Sequence, residues 1–338
     1  MRYLCLELTR ACNNACRHCY NFWRNGPRTS AGDGRPLLSR DEIRQLLLRA
    51  RRETHLEYVG ITGGEPTLRP DFAGIVGDIA DCGLTPIVVT NGTRLTASLL
   101  RLLPDGVNYE VTLFSYREAV HNRLAGRAVF TDVLRNIARI RQHGSFLTVV
   151  FVATRENALD VFKTVELGIG VGANGVMYNR VNLGSSSRRF ARSLVPEAAT
   201  LRESLGQLQE VVRKHGVQSA CTIPIPPCVV DPREFPSLHF GWCPRGGARS
   251  YYTVGSTGLL RPCNHSSRVI GDLRTSSFSE LLSKGRALPL WRSVPDVCRT
   301  CSHPLARKCR GGCPSAADEY YGTPLKRDPV CELAGTTL

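Results

Sequence analysis

Along the first two-thirds of the chain, short apolar runs alternate with longer stretches whose apolar positions recur every three or four residues. The runs 3–8 (YLCLEL), 57–62 (EYVGIT), 85–90 (TPIVVT), 108–113 (NYEVTL), 146–153 (FLTVVFVA) and 174–180 (NGVMYNR) read as strands. Residues 39–53, 70–81, 96–103, 130–143 and 157–167 read as helices between them. The first helix opens on Ser39 with Glu42 three residues on, the spacing of a capping box. Six strand–helix units predict a parallel sheet with right-handed crossovers, either an open barrel or a doubly wound sheet. A long helix is expected over about 196–214.

The pattern then breaks. "CTIPIPPCVVDPREFP" (221–236) is proline-rich and reads as a connection. Beyond about 240, periodic segments are sparse, and seven of the fourteen cysteines fall between 243 and 331. Such a stretch buries little by itself, so metal is expected to help hold it. The expected division is a barrel over 1–220, a connecting segment over 221–242 and a cysteine-rich domain over 243–338.

Hydrophobic residues make up 42% of the 338, enough for a sizeable core. The longest apolar runs are too short to span a bilayer. "MRYLCLELTR" lacks the layout of a signal peptide, so a cytoplasmic protein is expected. Clustered cysteines in such a chain read as metal ligands rather than disulfides. The formal charge of +15 invites a nucleic-acid reading, but the arginines are dispersed and the count treats every cysteine as neutral. Nucleic acid is therefore not the expected partner.

Cys12, Cys16 and Cys19 form C-x3-C-x2-C directly after the first strand. In α/β barrels the C-terminal ends of the strands carry the chemistry. A closed structural zinc site needs four ligands, so zinc would require His18 or a distant donor. Three thiolates on a [4Fe–4S] cluster would instead leave one iron open. After the second strand, "GITGGEPTLRPDF" (60–72) places Gly63 and Gly64 where backbone can approach a ligand, and Glu65 where it can pair with an ammonium.

"LTRACNNACRHCY" and "GGEP" together resemble the signatures of the radical S-adenosylmethionine (SAM) enzymes. The resemblance implies a partial (β/α)6 barrel in which the amine and carboxylate of SAM chelate the open iron. It places Tyr20 near the adenine, and Gly63, Gly64 and Glu65 at the SAM amino group. "TNGT" (90–93) contributes Asn91, Thr112 stands where a ribose-contacting serine is usual, and Phe114 replaces an aspartate. The frequent carboxylate-binding arginine appears as Ala125, so Arg123 or Arg155 would serve.

The C-terminal spacing is Cys243-x14-Gly258-x4-Cys263, then Cys298-x2-Cys301-x7-Cys309-x3-Cys313, then Cys331. It resembles the SPASM extension of radical SAM enzymes, which holds two auxiliary [4Fe–4S] clusters. The resemblance implies Cys243, Cys263 and Cys313 at the first cluster, and Cys298, Cys301, Cys309 and Cys331 at the second. Cys228 is the nearest candidate for the missing ligand of the first, with an open or non-cysteine position as the alternative. "YYTVGSTGLLRPCNH" (251–265) reads as a hairpin turning at Gly258, with Arg261 and His265 flanking Cys263. Cys5, Cys82 and Cys221 read as core or structural residues.

The implied reaction is reductive cleavage of SAM to a 5′-deoxyadenosyl radical. That radical takes hydrogen from a substrate C–H bond, with net oxidation or bond formation. A peptide is the favoured substrate. An aminocyclitol, sugar or nucleoside undergoing dehydrogenation or epimerisation is the alternative, since strand one begins too early for a leader-gripping domain before it. A reductant protein such as flavodoxin or ferredoxin is the expected partner, with no membrane. The competing class is a zinc-stapled nucleic-acid-binding module.

Overall fold

The computed structural model describes residues 1–23, 34–247 and 249–335. Six parallel strands follow the apolar runs: β1 (Tyr3–Glu7), β2 (Tyr58–Thr62), β3 (Thr85–Thr90), β4 (Asn108–Thr112), β5 (Leu147–Ala153) and β6 (Gly175–Arg180). They lie side by side in chain order. Leu4, Leu6, Val59, Ile61, Val88, Tyr109 and Val111 share one apolar layer with the buried faces of the crossover helices. Side chains alternate along a strand, so Cys5 on β1 and Glu110 on β4 fall on the opposite, inner face.

The helix Arg40–Glu53 starts as its sequence predicts. Ser39 Oγ accepts from the Glu42 backbone N–H at 3.1 Å, and the Ser39 N–H donates to Glu42 Oε2 at 2.7 Å. Ile43, Leu46, Leu47 and Ala50 then form its buried stripe. Other bounds differ. Of 96–103, only Ala97–Leu100 is helical, because Leu103 precedes a proline and is steered away from helical backbone. The segment 157–167 begins as a tight turn over Ala158–Asp160 and becomes α-helical at Val161–Gly170. Periodicity did not mark the short helix Glu118–Ala125.

The larger departures are at the sheet edges. A seventh strand, β7 (Gln218–Cys221), pairs parallel with β6 across the expected boundary at 220. The predicted hairpin is present as β8 (Tyr252–Val254) and β9 (Leu259–Arg261), turning at Gly258 with φ +91°. However, β8 also pairs parallel with β1, and β10 (Gly271–Asp272) continues the edge. The open sheet therefore runs β10-β9-β8-β1-β2-β3-β4-β5-β6-β7 among the described residues.

The cysteine-rich stretch borrows the barrel's cores rather than building its own. Tyr252, Val254, Leu260 and Phe278 pack with the residues of β1–β4. Ile225, Val229, Phe235, Val330 and Cys331 pack with β5, β6 and the helix Ala198–His215. Two buried ion pairs fasten it further, Glu7–Arg261 and Arg180–Asp328, with every partner's side chain at most 4% exposed. Among the described residues, no helix is long and apolar enough to cross a membrane.

Candidate functional site

The loop after β1 carries Cys12, Cys16 and Cys19, and backbone contacts shape it from three sides. Gly64 N–H donates to Thr9 O at 2.7 Å, and Glu65 N–H donates to Ala11 O at 2.8 Å. A Cβ on Gly63 would run into Thr9 O, and one on Gly64 into Arg10 O and Ala11 O. These glycines thus admit the cysteine loop's own backbone, a nearer partner than the ligand expected from the sequence. From the helix Glu118–Ala125, the Ala125 carbonyl accepts from Ala15 N–H at 2.8 Å and from Cys16 Sγ at 3.7 Å. After β6, Ser186 Oγ donates to the Cys19 and Asn21 carbonyls at 2.9 and 3.0 Å, and Gly184 lies directly against Tyr20. Sequence reasoning missed this last support. Its signal was the run of small residues "GSSS" (184–187) at a strand's end.

Glu65 is 1% exposed. Its Oε1 accepts from Thr67 N–H (3.2 Å), Thr67 Oγ1 (2.6 Å) and Thr90 Oγ1 (2.7 Å), and its Oε2 accepts from Asn91 N–H (2.8 Å). Burial raises its pKa while these donors pull it down. Oε2 retains one acceptor site, since a carboxylate oxygen takes about two donors. The Asn91 side chain reaches the cysteine loop, with Nδ2 donating to Asn13 Oδ1 at 2.8 Å.

Tyr20 lies 4.4 Å, centroid to centroid, from the His265 ring, and its hydroxyl accepts from Asn264 Nδ2 at 3.3 Å. The C-terminal hairpin's extension therefore meets the first cysteine loop at the predicted adenine neighbour. Burial pushes the His265 imidazole down to about 3, helped by the charges of Arg180 and Arg261, and raises the Tyr20 phenol. Arg261, paired through Nη2 to Glu7 and donating from Nη1 to Ser266 O at 2.7 Å, lies over the Phe22 ring at 4.9 Å. Asn182, in the loop after β6, has neither amide atom hydrogen-bonded among the described residues although both are buried.

Thr112 ends β4. Phe114 is a core residue edge-on to His18 at 4.8 Å. Arg123 pairs with Glu156, and Arg155 Nη1 with Glu197 at 2.8 Å, both at the surface. Arg127, which the sequence reading passed over, donates from Nη1 to Asn13 O on the cysteine loop at 2.8 Å.

None of the fourteen cysteines is in a disulfide. Cys5, Cys82 and Cys221 are buried as expected. The other C-terminal cysteines sort into two groups. Cys243, Cys263 and Cys313 lie within one another's fields, and burial raises all three thiols, Cys243 to about 11. The other group lines a cavity of about 300 Å³: Cys228, Cys298, Cys301, Cys309 and Cys331. Cys228 Sγ donates to Cys331 Sγ at 3.8 Å. This corrects the expectation for Cys228, which joins the second group rather than completing the first. The loop after β7 carries it there, a placement that spacing within the C-terminal motif does not encode. Arg245, at φ +46°, braces the ground between the groups by donating to Ser293 O (2.7 Å), Arg310 O (2.7 Å) and Gly312 O (3.0 Å).

One further acid was not foreseen. The Glu110 side chain, on the inner face of β4, has no hydrogen bond or ion pair among the described residues, and burial alone raises it to about 7. Its signal was a lone glutamate inside the apolar run "NYEVTL".

Residues 6–168 match the Radical SAM superfamily. Over nearly its whole length, 337 aligned residues, the chain is 26% identical to the PqqA peptide cyclase of Ruegeria pomeroyi, covering 96% of this chain and 85% of that protein. The PqqA peptide cyclase of Streptomyces rochei is also 26% identical, over 341 residues, covering 97% and 88%. Among solved structures, anSMEcpe with bound AdoMet and Kp18Cys peptide has a TM-score of 0.74 at 16% identity, covering 98% of this chain and 94% of that one. Streptococcus suis SuiB bound to precursor peptide SuiA has a TM-score of 0.68 at 13%, covering 98% and 75%. At these identities the solved structures speak for the fold.

The donor set fits the cofactors of this family. Three thiols on one loop, an unused acceptor site on buried Glu65 and the orphaned amide of Asn182 suit a cluster-bound amino acid with a heteroaromatic base. The thiol groups suit iron–sulfur ligation, because binding deprotonates thiols that burial otherwise keeps neutral. Among the described residues, no three His, Cys, Asp or Glu side chains gather tightly enough for a single metal ion. A four-iron cluster, whose thiolates leave from separate corners, asks for wider spacing. With the barrel matched as a domain and the cysteine-rich stretch aligned to SPASM-type relatives, the chain is a radical SAM enzyme with a C-terminal SPASM domain, working with SAM, a [4Fe–4S] cluster and auxiliary clusters.

Proposed function

We propose that the protein is a peptide maturase, a radical SAM/SPASM oxidoreductase that oxidises or cross-links a peptide at an unactivated C–H bond. The observation carrying this reading is colinear similarity to two PqqA peptide cyclases through both cysteine regions. When bound, the cluster and SAM supply a 5′-deoxyadenosyl radical that takes the substrate's hydrogen atom. The chain's own residues do the rest. Cys12, Cys16 and Cys19 hold the cluster, and Glu65 takes the SAM ammonium through the free side of Oε2. Gly63, Gly64, Asn91 and Thr112 shape the pocket, while Tyr20 and Asn182 receive the base. Arg123 and Arg155 could serve the carboxylate only by releasing Glu156 and Glu197, whereas Arg127 already stands on the loop.

Cys243, Cys263 and Cys313 hold one auxiliary cluster, and the Cys298, Cys301, Cys309, Cys331 and Cys228 cavity holds the other. The wall of Arg261, His265 and Tyr20 keeps water from the radical's path. In domain terms, 1–220 is the barrel, 221–242 the connection and 243–338 the auxiliary-cluster region, docked against the sheet. Fourteen free thiols suit a reducing, cytoplasmic setting with a flavodoxin- or ferredoxin-like electron donor.

The test incubates anaerobically reconstituted protein, SAM and reductant with peptides encoded beside its gene. The expected result is a peptide lighter by about two daltons, alongside 5′-deoxyadenosine. A mass change confined to an aminocyclitol, sugar or nucleoside would sink the peptide reading.

A further inference from the structure

We propose that Glu110 is the base that accepts the proton a substrate releases as its oxidation is completed. This rests on the reading above that the reaction is a net oxidation. A two-hydrogen oxidation removes one hydrogen atom, one electron and one proton. The C–H bond breaks homolytically and its hydrogen goes to the 5′-deoxyadenosyl radical. The electron goes to an oxidised iron–sulfur cluster. A new bond forms at that carbon as an adjacent X–H bond breaks, and that proton needs an acceptor beside the reacting carbon.

Five carboxylates of the barrel are shielded from solvent, and four are already committed, Asp78 to Arg40 and Asp160 to Arg117 among them. Glu7 is paired with Arg261, and Glu65 takes four hydrogen bonds. Glu110 has no such partner among the described residues. Tyr109 and Val111 on either side of it pack in the layer beneath the helices, so its side chain turns to the barrel interior. It lies two residues before Thr112, about 7 Å deeper along the strand. Its side chain keeps some access, so a molecule inside the barrel can reach it. Its registered neighbours are Val89 on β3 and Thr148 on β5. The titratable groups facing it are Tyr3 and Cys5 on β1, both held neutral by burial, and Tyr3's field also reaches Tyr20. No cation faces it.

A carboxylate left without a partner in such a place costs stability, and groups kept at that cost cluster in active sites. Burial tunes Glu110 to about 7, where a base both ionises and reprotonates readily.

The experiment uses the reconstituted holoenzyme and, as probe, the substrate that loses two daltons. Glu110→Gln is expected to lower product formation about a hundredfold, with iron content and melting temperature held at or above wild type. Glu110→Asp should recover part of the rate. The wild-type rate should rise with pH through about 7, and the Gln variant should lose that rise. A Gln variant with near wild-type rate, or with the rise intact, overturns the proposal. Infrared titration of the carboxyl in substrate-free holoenzyme decides independently of any substrate. A midpoint near 7 is expected, and one at the ordinary carboxylate value overturns it. Failure of the parent reading looks different: a substrate converted with no loss of mass.

Discussion

The two cysteine regions solve the same problem in opposite ways. The N-terminal set sits on one loop of eight residues, Cys12 to Cys19, so its membership is visible from spacing alone. The C-terminal set draws from the β7 loop, the hairpin, the Cys298–Cys313 segment and the terminal helix, and only packing decides which thiols meet. The first region is braced by backbone pressed against glycine. The second is braced by buried charge, because it has no core of its own. Local sequence spacing therefore shows which thiols meet only when a single loop supplies them.

The strongest test of that contrast removes the charge. Asp328→Ala leaves Arg180 buried without its counter-ion and frees the N–H groups of Cys313 and Val330. A loss of about 3–5 kcal/mol is expected in denaturant unfolding, together with iron lost from the C-terminal sites before the N-terminal one. Equal iron loss from all sites would show that the two regions are not braced separately.

Gly64→Ala strikes the other region. Its new Cβ meets the backbone of Arg10 and Ala11, so the expected cost is about 3 kcal/mol. Iron should fall by about one four-iron cluster, with the C-terminal clusters retained by EPR. Unchanged SAM-cluster signals would mean that the cysteine loop is not held as described.

Glu110 belongs to neither region and gives a pH signature between them. Its folded pKa, about 7, lies above the ordinary 4.5. Between those values the folded state holds a proton that the unfolded state releases, so stability falls as pH rises through this window. Glu110→Gln should therefore stabilise the protein by about 1–3 kcal/mol at pH 8 and by nothing near pH 4, read from thermal melts. Equal melting shifts at both pH values would refute a raised carboxyl.

The smallest effect is the sharpest about ligand membership. Cys228 Sγ and Cys331 Sγ lie 3.8 Å apart, so either would reach the same corner of a bound cluster. Cys228→Ala and Cys331→Ala should each leave the iron count nearly unchanged, and the double variant should lose one cluster. Iron loss from Cys228→Ala confined to the Cys243, Cys263 and Cys313 cluster would restore the original assignment of Cys228.

Much of the fold was legible because parallel strands buried on both faces leave continuous apolar runs. All six such runs are strands. The short β7 and β10 carry no such run, and nothing in a hairpin's own residues says that it will pair with β1, some 250 residues away. At the site, the glycines, Glu65 and the three loop cysteines were readable because their spacing is local. The Tyr20–His265 contact, the support from Ser186, the reach of Arg127 and the move of Cys228 were not, since each joins segments distant in the chain.

By itself the sequence determined the strand–helix alternation, the capped first helix, and a three-thiol loop beside a Gly-Gly-Glu turn. These follow from interactions between residues within a few positions of one another. Only the tertiary structure decided that the cysteine-rich stretch is part of the barrel's own sheet, that its seven thiols divide three and four with Cys228 joining the four, and that Glu110 lacks, among the described residues, the partner Glu7 and Glu65 have. Those outcomes depend on which distant surfaces bury each other, and on which buried charges find a counter-charge when they do.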